Sequence, residues 1–472
     1  MPTPPALTIS PPAPDVLSLA RARFSRLAAA HRRTRERLGL PTDRPIVMSG
    51  HQLAFWHPGI LAKWFFTAAA GAPEHGLAPA WVWVDQDANA FGDVRYPVVA
   101  ADTGVLAART WRVTPTATGY LPLTSSPPFE PSPLPTLDGR RFATPEVAPA
   151  LARIREALAA GREGATSAAE QMHRALLPLL APLEPAPPHT FFATDLARTE
   201  VFAALVARMR EDPRACTDAY NAAVAAYPDG HAAEVTMLHT GVNHPRGPEL
   251  PLWRIPAAPG SQRLKVHAAD LDDAPLDELA PRGLLMTGLL RLAACDVFIH
   301  GTGGGGPDGY DRITDRWFAR WLGETIAPTA VVTATLTLDL DRFTAGADPA
   351  AAARARWLAH HARHHPALLG DAGAEDRKRA LVREIAALPR HDPRRARLFR
   401  EMHALLDAAA AAHADRLHEL HRDADRAAAR LRSLPVATDR TWPFPLYPEA
   451  ALAALRSSVR AELAAAMVAP VL

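Results

Sequence analysis

Four short apolar runs, each giving way to a polar turn and usually to a helix, constrain this chain more than any other feature. They are Pro45-Ile46-Val47-Met48 ending at Ser49-Gly50, Trp81-Val82-Trp83-Val84 ending at Asp85, Thr190-Phe191-Phe192-Ala193 ending at Thr194-Asp195, and Asp296 to His300 ending in Gly301 to Gly306. Helical spacing resumes from Pro58 to Thr67 after the first, through Arg208 after the third, and from about Asp311 to Leu322 after the fourth. Uninterrupted apolar strands alternating with helices are what a parallel sheet covered on both faces requires. The expected fold class is therefore α/β, a parallel-sheet core with ligands at the strand carboxyl ends.

Other stretches break that rhythm. Residues 105 to 140 hold a β-like Trp111-Arg112-Val113 amid proline, and residues 231 to 268 carry two alternating runs, HAAEVTMLHT and PLWRIPA, that suggest a hairpin. Prolines cluster at Pro4 to Pro14, Pro115 to Pro135, Pro182 to Pro188 and Pro443 to Pro448, where a missing backbone donor and a fixed φ favour joints over regular structure. Residues 15 to 39 read as one amphipathic helix stopping at Gly39. From about 350 to 434 Ala, Arg, His and Leu dominate; Leu398, Met402, Leu405, Ala409 and Ala412, then Leu420, Ala424, Ala427, Leu431 and Leu434, step by four and three. Two such blocks separated by a register slip describe a heptad seam with one stutter, hence an expected coiled-coil arm pairing with residues 350 to 387 or with a second protomer. The expected division is a helical segment at 1–40, a core at 41–345 with inserts near 105–185 and 209–285, a helical domain at 346–435, and a Pro-rich link with a final helix at 436–472.

Composition narrows the function. With 472 residues, 52 Lys+Arg against 50 Asp+Glu and 2 Cys, the chain has length for several domains but no basic surplus for gripping nucleic acid. Cys216 and Cys295 supply neither a disulfide framework nor a cysteine zinc site. No 18-residue apolar span occurs, and the Pro-rich amino terminus lacks an export signal's basic and apolar regions. The expectation is a cytoplasmic protein with a small-molecule partner, no nucleic acid and no membrane.

Three strand ends carry candidate chemistry. Gly50, His51 and Gln52, with Trp56, His57 and Lys63 beyond, combine a glycine for close backbone approach, an imidazole for acid or base work, and an amide for orienting a substrate. Asp85, Gln86, Asp87, Ala88, Asn89 and Asp93 put three carboxylates directly after WVWV, where burial calls for a cation or an Arg partner. The run resembles the start of a calcium loop, but no Gly stands at position six and no Glu at position twelve. The segment Gly301, Thr302, Gly303, Gly304 and onward to Tyr310-Asp311 concentrates glycine where backbone amides could cradle an anion, although no Gly-Lys-Ser/Thr closes it as a P-loop. His360, His361, His364 and His365 form i,i+4 pairs without the Glu of H-E-x-x-H, so a solvated or interhelical face is expected there and no metal. The basic run Arg390 to Arg400 likewise reads as a helix surface.

The order IVMSGHQLAFWHPGILAKWFFTAA, APAWVWVDQDANAFGDV, HTFFATDLARTEVFAALV, RGLLMTGLLRLAACDVFIHGTGGGGPDGYD and then the helical arm resembles the cysteine-adding ligase family of bacillithiol biosynthesis, BshC. The resemblance implies a Rossmann-like core with inserts, a coiled-coil domain and homodimers. His51 and Gln52 fall where that family has paired glutamines. Asp85, Gln86, Asp87 and Ala88 fall on its Glu-Asp-His-Asp turn without the imidazole, and Tyr310-Asp311 fall near its late Glu and aromatic positions. The implied reaction joins a cysteine carboxyl to the amine of an amino-sugar conjugate such as glucosaminyl malate. His51, Asp85 and Asp87 would be catalytic, Gln52, Asn89, Asp93, Tyr310 and Asp311 would bind substrate, and Gly50, Gly301, Thr302, Gly303 and Gly304 would hold an anion. ATP enters as an expected cofactor by fold analogy alone.

Overall fold

The computed structural model describes residues 6–25, 27–88, 91–114, 121–228, 235–306 and 308–468. The chain opens with β1 (Ala6–Ser10), α1 (Ala13–Phe24) and α2 (Ala29–Arg37), then β2 (Ile46–Gln52), α3 (Pro58–Ala70) and β3 (Ala78–Val84). An excursion of β4 (Asp93–Ala100), β5 (Leu106–Arg112), β6 (Arg140–Phe142), α4 (Val147–Arg162) and α5 (Ala168–Leu180) precedes β7 (His189–Phe192), α6 (Glu200–Glu211) and α7 (Pro213–Ala225). A second excursion holds β8 (Glu249–Arg254), β9 (Leu264–His267) and β10 (Leu279–Pro281). The chain then returns through α8 (Gly283–Leu289), β11 (Val297–His300), the single turn α9 (Thr302–Gly305), α10 (Asp311–Leu322) and β12 (Thr329–Thr335). Helices α11 (Pro349–His361), α12 (Ala372–Ala387), α13 (Pro393–Ala412), α14 (Ala414–Ala437) and α15 (Glu449–Val468) complete it.

The protein is mixed α/β, built on a six-stranded sheet of order β1-β12-β11-β2-β3-β7. All of its pairings are parallel except that of β1 with β12. The four apolar runs of the sequence are β2, β3, β7 and β11, which stand side by side at its centre and one edge. Successive residues on each strand point to opposite faces, so one strand feeds two cores. Val47, Trp81, Trp83, Val297 and Ile299 join α1, α3 and α15 on one side. Met48, Ala80, Val82 and Phe298 join α6, α7, α8 and α10 on the other. That double burial is why these strands read as continuous apolar runs. At the amino ends a buried ion pair ties the sheet together. Arg35 donates to Asp296 at 2.9 Å, and the other Asp296 oxygen accepts from the Ile46 amide at 2.7 Å.

Several expectations are corrected. The single helix at 15–39 is two helices, α1 and α2, and the Pro-rich amino terminus supplies β1, an edge strand that leaves Pro11 outside the ladder. Strand β2 does not stop at Ser49-Gly50 but continues through His51 and Gln52, each paired with β3. In the second excursion β8 pairs with β9 and β10; of the HAAEVTMLHT segment, residues 231–234 lie outside the described residues and the rest forms no strand. The seam at 398–434 is not one continuous arm. Between its two blocks the helix breaks at His413 (φ −116°, ψ 33°). Leu398 packs with Leu381 and Ile385 of α12, whereas Leu420 packs with Ala359 and Ala362 of α11, so the apolar stripe is covered within the chain. Beyond it, Trp442, Phe444 and Leu446 lead into α15, and the carboxyl-terminal part returns to the main core.

Candidate functional site

The carboxyl ends of β2, β3 and β11 converge on a cleft, and β2 shapes its floor. A Cβ on Gly50 would stand 2.2 Å from Val82 Cγ1, so this glycine is required by the close approach of two strands, and it also lines the cleft. Past it, Trp56 donates to the Gln52 carbonyl at 2.9 Å and folds the chain back over Trp64, Trp81 and Trp83, whose rings lie 5.0–6.1 Å apart in pairs. His57 caps α3 by accepting from the Gly59 amide at 3.1 Å. Two turns into the buried face of α3, Lys63 donates to the Gly50 carbonyl at 2.9 Å. No ion pair joins Lys63 to a carboxylate among the described residues, and burial alone lowers its amine to about 7. Burial and then Lys63 push His51 down to about 3; burial, Arg440 and Lys63 push His57 to about 4. Both imidazoles are neutral at physiological pH.

The acidic turn finds its partners inside the protein, in three directions. Asp85 is buried and accepts from the Thr194 hydroxyl at 2.5 Å and the Thr194 amide at 3.1 Å; with no cation, burial raises its carboxyl to about 6 against the lowering pull of those bonds. Gln86 donates to the Pro281 carbonyl, tying the turn to β10. Asp87 accepts from Gln52 at 2.9 Å and from Arg263 at 3.2 Å. Asp93 opens β4 and pairs with Arg112 across the ladder at 3.3 Å, away from the cleft, while Asn89 lies outside the described residues.

The glycine-rich segment is a single helical turn, and its later amides are spent within it. The amides of Gly304 and Gly305 donate to the Gly301 carbonyl and that of Gly306 to Thr302, so Gly304 offers no free donor. Its role is steric, because a Cβ there would stand 2.4 Å from His300 Nδ1. His300 bridges two residues of the next segment, with Nδ1 3.4 Å from the Tyr310 hydroxyl and Nε2 3.1 Å from Asp311. Asp311 also faces Arg291 at 3.5 Å. Burial opposes the charge on Asp311, yet His300 and Arg291 hold its carboxyl below the ordinary range. Burial and Asp311 raise the Tyr310 phenol. Asp311 is thus a support for His300, and only Tyr310 of that pair lines the cleft.

Two chambers fill the cleft. The first, about 320 Å³, is lined by His51, His57, Lys63, His300, Gly301 to Gly304 and Arg440. The second, about 490 Å³, contains Asp87, Tyr220, Trp253, Arg263 and Arg282. Gln52, Met286, Thr287 and Tyr310 belong to both and form their common wall. In the second chamber the guanidiniums of Arg263 and Arg282 sit 4.3 and 4.6 Å from the Trp253 ring centre. Asp85 opens instead onto a third cavity of about 660 Å³. The structure therefore gathers His51, Gln52, Asp87, Tyr310 and the Gly301–Gly304 turn, and separates Asp85 and Asp93 from them. Among the described residues no cluster of three or more His, Cys, Asp or Glu is arranged to hold a metal ion, and no helix is long and apolar enough to cross a membrane.

Sequence reasoning placed Lys63 with the first strand-end candidate but assigned it no chemistry, although a lone cation inside the apolar run PGILAKWFFTAAA is a readable signal. It passed over Arg263, Arg282 and Trp253 in the second excursion, and Arg440 beyond the helical region, for which no local pattern speaks. No family model and no curated protein matches the chain, so its chemistry rests on the geometry above.

Proposed function

We propose that this protein is a small-molecule ligase on a Rossmann-like core, joining an activated carboxyl to an amine across the two chambers. In the form that the resemblance to the BshC family suggests, the carboxyl is that of cysteine and the amine belongs to an amino-sugar conjugate such as glucosaminyl malate. The observation that carries the reading is the common wall of Gln52, Met286, Thr287 and Tyr310, which lets two ligands meet while each keeps its own pocket. Arg440 has no carboxylate partner among the described residues and suits the anionic group of an activating nucleotide such as ATP in the first chamber. Gln52 and Asp87, bonded to each other, orient the amine from the second. His51 is too weakly basic at about 3 to remove the amine proton, so Lys63 at about 7 is the group in the first chamber matched to that task. Two buried free cysteines accord with a cytoplasmic setting. The pairing of two copies that the resemblance implies would use the exposed Val382 and Phe399 of the helical region, not the apolar stripe that the chain itself covers.

The test is incubation with ATP, cysteine and glucosaminyl malate followed by mass spectrometry for the condensed product. Wild type is expected to give a nucleotide-dependent amide, and Gln52→Ala at least about tenfold less of it. One observation favours a second reading, a metabolite-binding protein without catalysis. The acidic turn carries no imidazole, and Asp85 is turned away from the cleft. Thermal stabilisation by the same compounds with no product would decide for that reading.

A further inference from the structure

The sequence holds only three lysines, Lys63, Lys265 and Lys378, among its 52 basic residues. Lys265 pairs with Glu249 and Lys378 with Glu375, whereas Lys63 is buried and unpaired by any carboxylate among the described residues. A chain that otherwise supplies its cations almost wholly as arginine carries, at this one cavity wall, the basic residue that can lose its proton. Guanidinium stays charged at any accessible pH; an amine need not. The same cavity already has a fixed cation in Arg440, so charge balance for an anionic ligand does not require Lys63.

We propose that Lys63 is a carbonyl-reactive amine, and that the first chamber takes a small aldehyde or ketone carrying a phosphate or carboxylate group that Arg440 holds. The free amine adds to the carbonyl carbon to form a carbinolamine. The carbonyl oxygen then leaves as water with the two hydrogens lost by nitrogen, giving an imine with no change of oxidation state. Burial, which lowers Lys63 to about 7, keeps a large share of the amine unprotonated at neutral pH. The walls favour the dehydrated adduct, since Lys63 lies 5.6 Å from the Trp81 ring and, among the described residues, hydrogen-bonds the Gly50 carbonyl alone. This inference rests on the reading of the first chamber as a ligand site but not on amide formation.

The experiment incubates the full-length protein at neutral pH with pyridoxal 5′-phosphate, with unphosphorylated pyridoxal and with glyoxylate. Borohydride reduction and peptide mapping follow. The adduct is expected on Lys63 at least about tenfold above Lys265 and Lys378, because those two amines are held by Glu249 and Glu375 whereas Lys63 faces the chamber with no carboxylate partner among the described residues. The anionic aldehydes should exceed pyridoxal in wild type, and Arg440→Ala should remove that preference while pyridoxal still labels Lys63. Equal labelling of the three lysines, or labelling that spares Lys63, overturns the proposal without recourse to any variant. Lys63→Met, checked by its melting curve, should lose the adduct. An amide product without a Lys63 adduct would overturn this inference and leave the ligase reading; an adduct without any amide product would do the reverse.

Discussion

Two buried charges at opposite ends of the central sheet are treated in opposite ways. At the amino ends, Arg35 and Asp296 are almost completely buried, and each satisfies the other while Asp296 also holds the first amide of β2. At the carboxyl ends, Lys63 is also buried and, among the described residues, hydrogen-bonds a backbone carbonyl alone. A buried ion pair clamps two elements, and its worth is seen when one partner is removed; an unpaired buried amine destabilises the fold by its desolvation and persists where a ligand or a reaction uses it. The Arg35–Asp296 pair belongs to the scaffold, and Lys63 belongs to the proposed site.

The largest break in that contrast comes from Asp296→Ala, which would leave Arg35 charged and alone. A loss of about 3–5 kcal/mol in denaturant stability is expected, with the ligand-binding end unchanged in residues but poorly populated. A loss below that of an ordinary surface change would mean that the pair is not the clamp. Next comes Gly304→Ala at the carboxyl end. Its Cβ would press on His300, and a cost of about 1–3 kcal/mol is expected, together with a changed His300 imidazole resonance in NMR spectra, since the ring must move off Asp311. An unshifted resonance would show that the turn yields instead. The smallest effect belongs to Arg33→Ala, whose exposed pair with Glu200 should contribute at most about 1 kcal/mol and fade in high salt.

How much of this was legible in the sequence depended on whether a residue's meaning was local. The four parallel strands were readable because double burial leaves an unbroken apolar run, as in WVWV. Strand β12 was missed because no helix follows it in the repeated pattern, and β1 because the prolines around Ala6–Ser10 concealed an edge strand. Asp85 and Asp87 looked like one acidic site, yet the chain bends at Gln86 and directs them to different cavities, one bonded to Thr194 and the other to Gln52 and Arg263. Those partners come from the ends of β7 and β2 and from the second excursion, distances along the chain that no spacing rule spans. Gly304 was noticed for its composition, but its reason, the ring of His300 beneath it, exists only in the fold.

Because the contrast turns on one amine, the most direct measurement is denaturant stability of wild type and Lys63→Met across pH 7 to pH 10. An amine lowered to about 7 in the fold and ordinary in the unfolded chain means that the unfolded state binds more protons throughout that window. Wild-type stability should therefore rise with pH relative to Lys63→Met, whose methionine leaves no titrating group there. The gap between the two proteins should be widest near pH 7, in the variant's favour, and close by a few kcal/mol toward pH 10. Parallel profiles would contradict the account, because they would mean that Lys63 keeps its charge in the folded protein and differs in no such way from the paired Arg35.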